Sequence, residues 1–277
     1  MRFIWQLLAV VLVAAIGGQA VATVEDSPWL QLVLGLLTSV LAVLVYGWVV
    51  RKTEHRPPTE VARKGAEAAF GRGLLIGLAM FCAVITNIYV NAHYEINGLG
   101  SPSGAIGLAG FMAAAAVTEE VLFRGVLFRI IEERTGTWIA LTLTAVLFGA
   151  SHLMNPNADL WGAVAIAIEA GGMLAAAYAA TRTLWLPIGL HFGWNFAAAG
   201  IFSTEVSGND TPQGLLDTVT SGPAWVTGGA FGPEGSVYSV AFGALITVAF
   251  LWLAHRRGNL VPRRRADKAA ATTTLPR

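Results

Sequence analysis

Long apolar runs separated by short polar breaks dominate the chain. A helix that crosses a bilayer needs about 20 mostly apolar residues, because each residue adds only about 1.5 Å along the axis. Eight segments reach or approach that length, roughly 3–24, 29–50, 72–93, 103–131, 137–153, 160–181, 183–203 and 236–255. The fourth is long and turns polar in its second half, and the fifth is short. The pattern predicts an all-α, polytopic membrane protein of about eight transmembrane helices. Trp5, Trp29, Trp48, Trp138, Trp161, Trp185 and Trp252 fall near segment ends, where an amphipathic ring prefers the headgroup region.

The polar breaks carry a sign. With a cytoplasmic N-terminus and eight single crossings, five places fall inside: Arg2, the 51–72 loop, the end of the fourth span, Arg182 and the C-terminal tail. These places hold all 18 Lys and Arg residues. The opposite side receives Glu25, Asp26, Glu95, Asp159, Glu205, Asp210, Asp217 and Glu234, with no basic residue. This partition follows the positive-inside rule and predicts that both termini are cytoplasmic. Ala20-Val21-Ala22 resembles a signal-peptidase site, but the lone Arg2 and an apolar run continuing to Val24 predict an uncleaved first span. Residues 204–235, rich in Gly, Ser, Thr and Pro, read as a long external loop. The 256–277 tail is basic and then Ala/Thr-rich, and is expected to lie against an anionic inner leaflet before trailing into disorder.

Composition narrows the functional classes. The 277 residues are 55% hydrophobic and 13% charged, about half the charged share of a soluble domain. The single Cys82 excludes an intrachain disulfide and a Cys-based metal site. No soluble segment interleaves basic and aromatic residues, so no nucleic-acid partner is expected. The partners expected are the lipid bilayer and a membrane-associated peptide or protein. Scarce Lys beside plentiful Arg, Ala and Gly is compatible with a GC-rich prokaryotic genome, and hence with a prokaryotic cell membrane.

Ionisable side chains inside a membrane are costly and are functional candidates by default. The strongest group is Thr118-Glu119-Glu120-Val121-Leu122-Phe123-Arg124-Gly125 in the fourth span. Glu120 and Arg124, spaced i, i+4, share one helix face within ion-pair reach, while Glu119 is rotated by about 100°. Arg124 is therefore expected to neutralise Glu120 and leave Glu119 free to face a cavity. Phe148-Gly149-Ala150-Ser151-His152 closes the fifth span, and His191-Phe192-Gly193-Trp194-Asn195 lies in the seventh, again with an i, i+4 pair. Counted from the cytoplasmic ends, Glu119, His152, His191 and Asn195 lie about 12–22 Å deep, in one layer. A carboxylate and an imidazole beside one water can deprotonate it. A second imidazole and an amide can stabilise the oxyanion of a tetrahedral intermediate. The same Glu119, His152 and His191 could instead hold a divalent metal such as zinc.

These residues resemble the CPBP intramembrane proteases, the family of the CAAX prenyl proteases and of bacteriocin-processing or self-immunity proteins, also called Abi. The family pattern is Glu-Glu-x-x-x-Arg, Phe-x-x-x-His and His-x-x-x-Asn/Asp on successive helices. It is matched by Glu119-Glu120…Arg124, Phe148…His152 and His191…Asn195, in order and without departure. The resemblance covers about 103–203. It divides the chain into N-terminal helices with their loop (1–102), a catalytic helical core (103–203), and an external loop, last span and basic tail (204–277). It implies endoproteolysis of membrane-associated substrates. Glu119 and His152 would activate water, His191 and Asn195 would stabilise the oxyanion, and Glu120, Arg124 and Phe148 would support them. The family has been described both as metal-dependent and as glutamate-dependent. An amide is a poor metal ligand beside carboxylates and imidazoles, so the glutamate route, with no required cofactor, is the expectation.

Glu169, beside Gly171 and Gly172 in the sixth span, belongs to no motif and is a candidate supporting residue; the glycines read as close helix packing. His93 is expected to be solvated near the external interface. Ser151 lacks a nucleophile elbow, and no His-Glu-x-x-His motif is present. The lower rim of the site faces the cytoplasm, so substrate is expected from that side or laterally from lipid. The alternatives are a non-catalytic immunity or scaffold protein and a proton-coupled transporter, the latter disfavoured by the absence of an internal repeat.

Overall fold

The computed structural model describes residues 1–263. The end of the basic tail, and the disorder expected of it, lie outside the described residues. Eight helical segments account for most of the chain: α1 (Arg2–Ala22), α2 (Pro28–Glu54), α3 (Ala66–Val90), α4 (Pro102–Thr135), α5 (Thr137–Ser151), α6 (Leu160–Thr181), α7 (Trp185–Asn195) and α8 (Val237–Arg256). Seven are long and apolar enough to cross a membrane; α7 is shorter but is prolonged by a π turn, Phe196–Ile201. The protein is thus a polytopic helical membrane protein.

Local chemistry sets several boundaries. Ser101 caps α4 by accepting from the Gly104 N–H at 2.9 Å, with Pro102 in the first turn, where a missing N–H costs nothing. Asp159 caps α6 through the Gly162 N–H at 2.6 Å, and Ser236 caps α8 through the Ser239 N–H. α2 stops at His55, whose φ of 52° is left-handed, just before Pro57-Pro58.

Helix faces sort by solvent. α1 and α2 turn Ile4, Leu8, Leu12, Leu36, Leu37 and Leu44 outward, a contiguous apolar surface that suits hydrocarbon and not water. In α6 the run Met173–Ala180 is buried throughout. α7 lies against α3 with almost no side chain between the backbones. A Cβ on Gly73 would come 2.7 Å from the Leu190 nitrogen, and one on Gly77 2.7 Å from the Trp194 nitrogen. Gly193 is equally tight against Leu74. Small residues at i, i+4 on both helices permit this approach, which dispersion and close packing stabilise in a membrane.

The two ends of the bundle differ in charge. At one end Arg129 bonds Glu54 (2.8 Å), Glu133 (3.2 Å) and Gln6 (2.8 Å). Arg56 bonds Glu54 (2.6 Å) and Glu60 (2.7 Å). Arg2 pairs with Glu133, and Arg182 with Glu132. Burial works against the Arg56 charge, but Glu60 and Glu54 outweigh it and hold the guanidinium above its ordinary range. Arg2, Arg56, Arg129 and Arg182, from four of the segments predicted to be cytoplasmic, therefore meet at one end.

The opposite end holds a feature the hydrophobic pattern does not predict. β1 (Tyr94–Leu99) pairs antiparallel with β2 (Leu216–Thr220), Tyr94 opposite Thr220 and Leu99 opposite Leu216, with an irregularity between Ile96 and Gly98. The segment read as a plain loop, 204–235, thus contains a strand, and also a helical turn, Ala224–Thr227. Both strands are too short to stand out beside 20-residue apolar runs. Tyr94 is buried, donates to the Phe202 carbonyl at 2.7 Å, and has its phenol pushed up to about 12 by that burial. His93, expected in solvent, is half-buried and lies against Gly222.

Candidate active site

The cluster is assembled on α4, the end of α5, α6 and α7. Arg124 Nη1 donates to Glu120 Oε1 at 2.6 Å, and Nη2 donates to the Ala170 and Gly171 carbonyls of α6 at 3.2 and 3.1 Å. Arg124 is 1% exposed and Glu120 0%. This buried pair also orients α7, because His191 Nδ1 lies 3.1 Å from Glu120 Oε1. A carboxylate only accepts, so His191 donates Nδ1–H to it and turns Nε2 towards Glu119, 3.9 Å from Oε2. The Glu120–Arg124 pairing matches the helical spacing, and the bond from His191 adds a link that spacing within one helix could not reveal.

Glu119, its side chain 31% exposed, is the cavity-facing member of the Glu-Glu pair. Its Oε2 is enclosed and has no hydrogen-bond partner. His152 follows the last turn of α5 in a short 3₁₀ turn, His152–Met154. Its Nδ1 lies 2.7 Å from the Phe148 carbonyl, which can only accept, so the neutral ring keeps an unprotonated Nε2. The buried Phe148 ring packs 4.8 Å from the His152 ring and 4.7 Å beneath the Arg124 guanidinium, and so joins the ion pair to the imidazole.

Glu119, His152 and Asn195 line one cavity of about 490 Å³, with Met112 and Phe123 of α4 and Val206–Pro212 of the long loop. Its remaining walls include Glu25, Asn155 and Asp210. These residues belong to the acidic end of the bundle. Entry was expected from the cytoplasmic side or laterally from lipid; this lining does not reach the basic end, and its α4 flank fits the lateral route. Arg129, Glu54, Glu60 and Glu132 fill that end with ion pairs, whereas the cavity reaches the loop side. Phe111, Ala115 and Leu122, all half-buried, form its flank on α4.

Three of these helices widen beside the cluster. α4 runs as a π-helix over Val121–Phe128, α6 over Ala167–Gly172 and α7 over Phe196–Ile201, placing Glu120, Glu169 and Asn195 at or within π turns. Such turns concentrate at functional sites, where they re-aim side chains and expose backbone acceptors. The Ala170 and Gly171 carbonyls that receive Arg124 lie in one of them.

Behind the cavity lies a chamber of about 10 Å³, close to the space of one water, walled in part by His152, Glu169, His191, Asn195, Ser207 and Glu234. Glu169 is 0% exposed and neither carboxyl oxygen has a partner. Gly171 packs against Ala145 of α5, and a Cβ there would lie 2.8 Å from its Cα; Gly172 has more room. Glu234 was assigned by sequence only to the external side. It is 2% exposed and accepts from Trp194 Nε1 (2.8 Å), the Ser207 N–H and Ser207 Oγ (2.9 Å). It thereby ties the loop to the helix that carries His191 and Asn195. Its only sequence signal is an acid inside a Gly-rich stretch, Gly232-Pro233-Glu234-Gly235.

Residues 101–197 match the model of the family described as type II CAAX prenyl endopeptidase Rce1-like. Over that stretch the chain is similar to this family. The matched region begins at the α4 cap and ends just past Asn195, so it contains every motif residue, while α1–α3, the long loop and α8 lie outside it. The chain is also similar to the Bacillus subtilis (strain 168) protein named "Putative membrane peptidase YdiL", with 26% identity over 171 residues. That similarity takes in 57% of this chain and 66% of the relative. No solved structure gives a significant match. The similarity is thus to a protease-associated membrane family, and the buried Glu/His cluster accords with a catalytic role.

Proposed function

We propose that the protein is an intramembrane endopeptidase that hydrolyses peptide bonds of membrane-associated peptides or proteins in a prokaryotic cell membrane, with both termini cytoplasmic. The observation that carries this reading is the shared cavity: Glu119, with an unpartnered carboxylate oxygen, faces the same space as His152 and Asn195. A water there loses a proton to Glu119 or His152 Nε2, and the hydroxide adds to the substrate carbonyl. Asn195 Nδ2–H donates to the resulting oxyanion, joined by His191 once its Nε2 carries a proton. Collapse breaks the C–N bond, and the proton held by Glu119 or His152 passes to the leaving amine. No acyl-enzyme forms, so no nucleophilic side chain is required.

A metal such as zinc would have to draw on Glu119, His152 and His191. His152 commits Nδ1 to the Phe148 carbonyl and His191 commits Nδ1 to Glu120, which leaves one nitrogen on each ring. Among the described residues, no three His, Cys, Asp or Glu side chains form a metal-binding group. The free nitrogen on each ring would be the one offered to a metal, and the steps above use only the chain's own side chains.

The test is cleavage of a quenched peptide panel by detergent-purified protein, native against Glu119→Gln, each with and without a strong chelator. Activity lost in Glu119→Gln and indifferent to chelator supports the glutamate route; loss on chelation supports a metal. Equal activity in the two proteins would remove Glu119 from the chemistry. Absence of activity in both, with retained binding of a membrane protein, would favour an immunity or scaffold role. Proton-coupled uptake in proteoliposomes would favour a transporter.

A further inference from the structure

A second cavity, of about 610 Å³, lies between α2, the 57–63 turn, α4 and the start of α7, and shares no lining residue with the candidate active site. Its walls are apolar along their length, with Val40 and Leu44 of α2, Val61 of the turn and Val117 of α4. The α2 side runs from Val40 to Arg51, about 16 Å at 1.5 Å per residue. That is the hydrocarbon depth of one leaflet, half of about 30 Å.

Charge is confined to one end of this groove. Arg51 and Arg63 stand there, both exposed, with Trp185 beside them. Arg2, Arg56, Arg129 and Arg182 at the same end of the bundle are each neutralised by a glutamate. Among the described residues, Arg51 and Arg63 form no ion pair, and the only side-chain bond of Arg51 is a long one, 3.4 Å, to the Gly47 carbonyl. The occupant that suits such a groove is amphipathic, with an apolar tail one leaflet long and an anionic head that two guanidinium groups can meet.

We propose that this groove is a binding site for an anionic phospholipid, one acyl chain lying along α2 and the phosphate between Arg51 and Arg63. The groove wall is coupled to the helix that carries His191 and Asn195. The Glu60 carbonyl accepts the Leu184 N–H, and the Ala62 carbonyl accepts Trp185 Nε1, both at 2.8 Å. A seated lipid therefore braces the 57–63 turn and the start of α7.

Full-length protein in neutral detergent, titrated with phosphatidylglycerol or phosphatidylcholine and read by native mass spectrometry and thermal unfolding, tests this. Each cation near an anionic headgroup is worth about fivefold in affinity, so the two together predict about a 30-fold preference for phosphatidylglycerol. Arg51→Gln/Arg63→Gln should abolish that preference. Gly47→Leu keeps both charges and should expel lipid of either kind, because Gly47 leaves the groove floor open, with only ordinary contacts for a Cβ at 3.5 and 3.6 Å. Should Gly47→Leu fail to fold, the two exposed arginines still decide. Equal binding of the two lipids to the native protein, or a preference that survives the double substitution, would overturn the proposal. So would competitive displacement by an isoprenylated peptide, which would assign the groove to substrate.

Discussion

Arg124→Met probes the centre of the cluster. The guanidinium makes a 2.6 Å ion pair with Glu120, donates to two α6 carbonyls and lies 4.7 Å over the Phe148 ring. Methionine keeps most of the dispersion contact with the ring and removes every donor. Glu120, 0% exposed, would keep only the His191 Nδ1–H, on Oε1, since Oε2 has no partner even in the intact protein. Removing one member of a buried pair typically costs about 3–5 kcal/mol, because the other charge is stranded. The loss of the carbonyl bonds overlaps with that figure, so about 4 kcal/mol is expected. Glu120→Gln still accepts from His191 and Arg124 and should cost about 2 kcal/mol.

The double variant strands no charge. It should therefore cost no more than Arg124→Met alone, a coupling of at least about 2 kcal/mol. Reversible unfolding in mixed micelles of rising dodecyl sulfate content measures all three. Arg124→Lys should recover only part of the loss, since a point charge cannot serve Glu120 and both carbonyls at once. Additivity within about 0.5 kcal/mol would refute the reasoning, for it would mean that Glu120 and Arg124 do not hold each other in the membrane.

Other sites give independent outcomes. Asn195→Ala should lower kcat of peptide cleavage about 10²–10³-fold with little change in KM, as expected for a donor used mainly in the transition state; His152→Ala should lower it about 10²–10⁴-fold. A rise in KM with kcat unchanged would place either residue in substrate binding. Gly77→Val should destabilise by about 1–3 kcal/mol in thermal unfolding, since the backbone of α7 occupies the space, whereas Gly71→Ala, with nothing within 4 Å, should be neutral. Glu169→Met should raise the unfolding free energy by about 1–3 kcal/mol by removing an unpartnered buried carboxyl, while reducing activity. A less stable Glu169→Met would show that the carboxyl has a partner in the one-water chamber.

The helices and the charge partition were legible because the bilayer enforces both: each span must be long and apolar, and a cation without a buried partner must sit at an end. The Glu120–Arg124 pair was legible because i, i+4 spacing survives the π turn that begins at Val121. His191 was harder to read. Spacing pairs it with Asn195 along α7, and only the packing of α7 on α4 shows that its Nδ1 belongs to Glu120. Glu234 was invisible as a site residue because its partners, Trp194 and Ser207, lie 40 and 27 positions away. The sheet escaped for a similar reason, since β1 and β2 gain their order from each other across more than 100 residues.

Depth along single helices leaves access undecided. Counting residues from the ends puts the site in one layer but says nothing about what fills the space above or below it. Below, buried acids of α2, α4 and the 57–63 turn are neutralised by Arg56, Arg129 and Arg182, and the groove at that end shares no lining residue with the cavity. Above, a Gly-rich loop meets the site through polar groups: Ser207 touches both the cavity and the one-water chamber, and Glu234 fastens Ser207 to Trp194. A peptide reaching Glu119 must pass the Val206–Pro212 segment or slip past the half-buried flank of α4. In either case Glu234 ties the loop that walls the cavity to the helix of His191 and Asn195, the groups that would meet the oxyanion.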